Sequence, residues 1–185
     1  MLKVSRSVVM DVNKYQIGDK VHIVLGDVNY TATAIEEESD GSMLFWLDNC
    51  LNDKKRPMNI HGGTEGKYDS SDMRKFLQQL SKTIPNKIKK QMVPFNNGDV
   101  LRLLSLREVT GEDARTWDKI DGQIEYLKDR RHRIKLFNGA DSAYWLSAVV
   151  DSAAFALVSS GGVAGYGGAS GAIGVVPAFK LKNNK

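Results

Sequence analysis

Apolar runs of strand length occupy both ends of the chain, and helical stripes are confined to its middle. Near the N-terminus such runs fall at Val21–Leu25, Tyr30–Ile35 and Met43–Leu47. Gly26-Asp27 and Asp40-Gly41-Ser42 separate them as turns. In the middle, Met73, Phe76, Leu77 and Leu80 recur at i, i+3, i+4 and i+7, one face of an amphipathic helix. Ser70 or Ser71 is placed to cap it, with Asp72 at the positive end of its dipole. A second helix is expected from Pro85 to Pro94, and Val100–Leu104 as a short buried strand. Ser105 and Glu108 have capping-box spacing for a third helix ending near Gly111. Residues 48–69 lack periodicity and carry Gly62, Gly63 and Gly66, the composition of a long surface loop. Residues 112–130 are charged, with Trp117 and Tyr126 as anchors. Strand patterns return at His132–Phe137, Ala143–Leu146, Ala154–Val158 and Val175–Leu181. Strands, then helices, then strands exclude a βαβ alternation and predict an α+β fold. Its sheet is expected to be mainly antiparallel, with two or three helices and terminal strands meeting in one sheet. A single domain over 1–185 is expected, with N-terminal strands at 18–47, a helical middle at 70–110 and a C-terminal region at 131–181.

Several function classes find no footing in these residues. Hydrophobic residues make up 42% and charged residues 26%, so a packed core is expected rather than disorder. No apolar run approaches membrane length. The only apolar stretch near the N-terminus is Val8–Met10, too short for a signal peptide. The expectation is cytoplasmic synthesis with no membrane partner. Cys50 is the only cysteine, which excludes an intrachain disulfide. His22, His61 and His132 lie far apart without metal-ligand spacing, so no metal is expected. No Gly-x-Ser-x-Gly nucleophile elbow occurs, since Gly168-Ala-Ser170-Gly171 misses the spacing. The stretch "GYGGASG" lacks the Lys-Ser/Thr and the helix of a phosphate loop. Glu112, Asp113, Asp141 and Asp151 are not paired on one face. These absences lead to the expectation of a non-enzymatic chain without a cofactor. The formal net charge of +4 is mild. Arg131, Arg133 and Lys135 alternate with His132, Ile134 and Leu136, which predicts a strand with one basic face. A solvated face is the plainer reading of it, and nucleic acid is not the favoured partner.

The C-terminal segment "SSGGVAGYGGASGAIGVVPAFKL" sets a different question. Seven of the seventeen glycines lie between Gly161 and Gly174. Tyr166 is the one large side chain among them. Glycine lets backbone and partner approach closely, and tyrosine supplies contact area at low entropic cost. Residues 161–172 therefore fit either a display loop or irregular packing on the domain. Their expected anchors are Phe155, Leu157, Val175 and Phe179. The candidate binding residues are Tyr166, Trp145, Asp151, Ser159, Ser160 and Ser170, with Trp145 equally suited to the core.

The same tail resembles a family of uncharacterised bacterial and prophage proteins. Its signature is Tyr-Trp-Leu-Arg-Ser, an apolar strand, a variable loop, then Gly-Val-Arg-Pro-Ala. Here Tyr144-Trp145-Leu146, Phe155–Ser160, Gly174-Val175 and Pro177-Ala178-Phe179 carry the resemblance. Upstream, "SSDMRKFLQQL", "MVPFNNGDVLRLLSLREV" and "DRRHRI" also resemble it, so the likeness runs from Gly18 to Leu181. The resemblance implies a C-type-lectin-like fold with a long irregular C-terminal loop region as its binding face. It further implies a virion-associated role, with a host protein or glycan as ligand; the alternative is a cytoplasmic phage factor that binds a host protein or nucleic acid through the basic face at 131–135. Ser147 and Val176 stand where that signature has arginines. Their joint loss fits a shared partner for both, because a buried unpaired arginine is costly.

Overall fold

The computed structural model describes residues 14–65 and 67–183. Val8–Met10 and Gly66 lie outside the described residues. The fold is α+β and its sheets are antiparallel.

Three N-terminal strands form a meander: β1 (Lys20–Leu25), β2 (Val28–Glu37) and β3 (Met43–Leu47). All five residues of β3 are buried. That strand is central, which is why its sequence runs apolar without alternating. The helical middle follows as α1 (Asp72–Lys82), α2 (Asn86–Lys89), the short strand β4 (Met92–Val93) and α3 (Leu106–Thr110). The Ser71 hydroxyl accepts from the Arg74 amide to cap α1, which buries Met73 and Leu77. Ser105 and Glu108 form the expected capping box, and Gly111 ends α3 in the left-handed conformation. The C-terminal region holds β5 (Lys135–Phe137), β6 (Ala140–Ser142), β7 (Tyr144–Val149), β8 (Ala154–Val158), β9 (Ala164–Gly168) and β10 (Ala178–Leu181).

The strands group into a five-stranded sheet of order β1-β2-β3-β10-β4, a β5-β6 hairpin and a three-stranded sheet of order β7-β8-β9. The last strand thus pairs with β3, and the two ends of the chain do share a sheet. One buried cluster runs from Ile23 to Leu181 through all three regions. No helix among the described residues is long and apolar enough to cross a membrane.

One expectation needs qualifying and three need correction. Residues 48–69 are irregular and mostly exposed or half-buried, as expected of a loop, but the segment is anchored: Cys50, Leu51, Met58 and Tyr68 are buried, and Arg56 forms a bridge to Ile173. Its anchors are single residues spaced irregularly among exposed ones, so no periodicity marks them. In Val100–Leu104 the three leucines are buried, but the run makes only an isolated bridge, Arg102 to Ala178. The strand expected from His132 begins only at Lys135, because residues 130–133 form a 3-10 turn capped by Asp129. The C-terminal region is less irregular than expected, since β9 turns the middle of 161–172 into a strand.

Candidate functional site

The signature residues form a seam inside the molecule. Tyr144 and Gly174 meet in a parallel bridge. The Trp145 amide donates to Gly174 O at 3.0 Å, and the Gly174 amide donates to Ala143 O at 3.1 Å. Val175 O accepts from the Leu51 amide, and Val176 O accepts from the Trp46 indole at 3.1 Å. Trp145 is 1% exposed, and its indole N–H donates to Arg56 O at 2.8 Å. It is therefore core and is removed from the candidate binding residues. Its burial follows from β7 pairing Trp145 with Leu157, on the face that β9 lines with glycine alone. A Cβ on Gly167 would lie 3.1 Å from both the Trp145 ring and Leu157. Glycine is needed here for space, so that the strand can lie against the indole.

Tyr166 points the other way. It pairs with Ala156 and is 64% exposed. Its ring lies 6.1 Å from that of Trp117, tilted at 45°. Trp117 has a φ of +62°, an uncommon conformation for a bulky residue. The surrounding loop enforces it. The Trp117 amide donates to Asp113 O, and the Asp113 amide donates to Asp118 O. The Asp113 carboxylate accepts from the amides of Arg115 and Thr116, which hold its pKa below the usual range. Strain of this kind persists only where neighbours over-determine it, and such residues cluster at binding and switch sites. Val163 and Ile120 are exposed apolar residues nearby in sequence. Trp117 belongs with Tyr166 in the candidate site. A lone tryptophan in a charged stretch was the only trace of it in the sequence.

The remaining candidates do not converge. Asp151 caps the β7–β8 turn, accepting from the Ala153 amide at 2.7 Å. Ser170 lies in the turn closed by the Gly171 amide on Gly168 O, at the same end of the sheet. Ser159 and Ser160 are at the other end, where the Ser159 hydroxyl accepts from the Val163 amide in the β8–β9 turn. The length of β8 separates the two pairs, and Tyr166 lies midway between them.

The basic face is not present. Arg131 forks onto Asp129 within the 3-10 turn, and the Arg133 side chain is not part of a strand. Lys135 is 5% exposed. Its ammonium donates to Leu47 O at 2.7 Å and sits 3.7 Å from the Trp46 ring centroid. The run alternates in sequence, but a turn breaks it before Lys135 enters the core. Burial pushes the Lys135 ammonium down to about 7, with Lys20 adding to it and Asp48 and Cys50 opposing. Between that value and about 10.4 the unfolded chain binds the extra proton. Stability should therefore rise with pH above 7. Cys50, pushed up to about 11 by burial, works in the opposite direction above pH 9. The clean window is pH 7 to 8.5. Urea unfolding there should show wild type gaining about 1 kcal/mol, and Lys135→Met should flatten that rise. An equal gain in the variant would mean that Lys135 does not titrate in this range.

A cavity of about 430 Å³ opens beside β2 and is lined by Asn29, Tyr30, Asn49, Asn52, Leu136 and Asn138, among others. Its side-chain amides come from strand β2, the segment after β3 and the β5–β6 turn, so no single stretch of sequence marks it. Among the described residues, no group of three or more His, Cys, Asp or Glu side chains is placed to hold a metal.

Comparison with curated proteins finds no match, and comparison with solved structures finds none. A family model does match residues 40–183, which takes in the buried β3 strand, the helical middle and the whole signature seam. By that match the chain belongs to the family described as Domain of unknown function (DUF6273).

Proposed function

We propose that this chain is a non-enzymatic binding module that holds a protein or glycan ligand against the Tyr166–Trp117 face. In this reading it is prophage-encoded and C-type-lectin-like. It is made in the cytoplasm and is virion-associated, where it takes part in recognising a host surface. The observation that carries the reading is an exposed tyrosine on a strand of small residues, beside a tryptophan held in strained backbone. Aromatic side chains offer a flat apolar face with a polar rim, which suits both protein hot spots and sugar rings. The folding load lies elsewhere, on Phe155, Val175 and Phe179, all buried to 1% or less. The alternative, a cytoplasmic phage factor that binds a host protein or nucleic acid through a basic face at residues 131–135, has less support. Arg131 is neutralised by Asp129, and Lys135 faces inward.

The test is Tyr166→Ala against whatever host-surface protein or glycan the wild-type chain captures. Binding should weaken by about 30-fold or more, the effect of a hot-spot residue. The melting temperature should stay near that of wild type, because Tyr166 buries little apolar area. A large fall in melting temperature with binding intact would make Tyr166 a packing residue and remove the support for this face.

A further inference from the structure

Strand β9 ends its sheet with an edge that is unpaired among the described residues. The phase of the β8–β9 ladder decides which groups face that edge. The Ala169 amide donates to Ala153 O, and the Ser159 amide donates to Val163 O. The register between them runs without a bulge. In an antiparallel ladder hydrogen-bonded pairs alternate with non-bonded ones. Gly165 and Gly167 therefore bond inward to Leu157 and Phe155. Ala164, Tyr166 and Gly168 turn their N–H and C=O groups outward. Of these outward groups only Gly168 O has a backbone partner, the Gly171 amide.

Proteins usually blunt such an edge with lysine, proline, a bulge or a very short strand. Both edges of the five-stranded sheet carry such devices. Strand β1 bears Lys20 and His22, and β4 has two residues followed by Pro94. Strand β9 has none of them, and no charged side chain occurs between Asp151 and Lys180.

We infer that this edge pairs with the β9 edge of a second copy of the chain, antiparallel about a two-fold axis through Tyr166. In that register Tyr166 faces its own counterpart, and Ala164 faces Gly168. The outward N–H and C=O groups of each strand then meet those of the other, with Gly168 O, which already accepts from the Gly171 amide, taking the Ala164 N–H as a second donor. In this register only Tyr166 meets its own copy and each flanking residue meets the one placed symmetrically across it, so like charges on the strand would be brought close; β9 carries none. Alanine and glycine at the flanking positions leave the approach open, and the two tyrosines form a cross-strand aromatic pair. The joined sheets would set two Tyr166–Trp117 faces side by side and make ligand capture bivalent. A five-residue edge buries less than the roughly 1,200 Å² of a stable interface, so the association is weak and reversible.

Sedimentation velocity of the full chain, without ligand, tests this. Wild type should shift from monomer toward dimer as concentration rises. Tyr166→Pro removes the outward N–H at the two-fold axis but no bond to β8. It should weaken the dimer by about tenfold or more, the effect of losing two hydrogen bonds. Tyr166→Ala, which keeps that N–H, should still dimerise. Ala164→Pro repeats the test at the neighbouring outward position should Tyr166→Pro not fold. A chain that stays monomeric at every soluble concentration, or a dimer that survives both proline variants, would overturn the inference. Because no ligand enters the experiment, its failure leaves the binding test of Tyr166 standing as a separate result.

Discussion

Trp145→Ala should destabilise the fold by about 4 kcal/mol, within the range for deleting a buried tryptophan. The indole is 1% exposed and fills the space that Gly167 and Gly171 leave open. Removing it opens a cavity that β9 cannot close, because a strand of glycines has no side chain to move in. The variant also loses the indole N–H on Arg56 O, which holds the 48–69 segment against the C-terminal sheet. Urea unfolding would measure the loss, with the slope unchanged if the variant still unfolds in one step. A loss under about 1 kcal/mol would mean that the indole is not the keystone between these segments.

Gly174→Ala should be nearly as damaging, at about 3 kcal/mol or more, through crowding rather than a void. A Cβ at that position would lie 2.6 Å from Cys50 Sγ and 2.7 Å from Ala143 O. One of these is backbone and cannot swing aside. The Gly174 amide also donates to that same Ala143 carbonyl, so any shift breaks a bond of the seam. Cys50→Ala in the same chain should recover part of the loss by removing the sulfur, while the carbonyl clash stays. Full stability of Gly174→Ala, measured by thermal unfolding, would show that the seam is looser than its distances imply.

These two residues explain what was legible in the sequence. Where burial is periodic, the chain announces its structure. The α1 stripe and the Ser105–Glu108 box lie where their spacing puts them, because helix geometry alone places those side chains together, and the three N-terminal strands lie where apolar runs between turn residues put them. Where burial comes from long-range pairing, the sequence is silent. Met58 and Tyr68 are core because Arg56 meets Ile173 across the fold, and no neighbour in sequence records that contact. Lys135 misled for the same reason: its alternation with apolar residues was genuine, but a capped turn at Asp129 reset the phase before the strand began. The glycine-rich tail was legible only in part. Its composition marked close approach, and Gly167 and Gly174 are indeed close-approach positions. It did not reveal that Tyr166 would lie on an edge strand beside Trp117, since that pairing joins residues far apart in the chain.

The central claim is that recognition is concentrated on the Tyr166–Trp117 face while the signature seam holds the fold. Hydroxyl-radical footprinting of the chain, alone and with a captured host ligand, tests it most directly, because both aromatic rings are reactive and the oxidised residues can be read individually. The account predicts that ligand protects Tyr166 and Trp117 together and leaves Tyr30 and Leu136, at the mouth of the amide-lined cavity, oxidised as before. Protection of Tyr30 and Leu136 with Tyr166 and Trp117 unchanged would contradict it and move the binding site to that cavity.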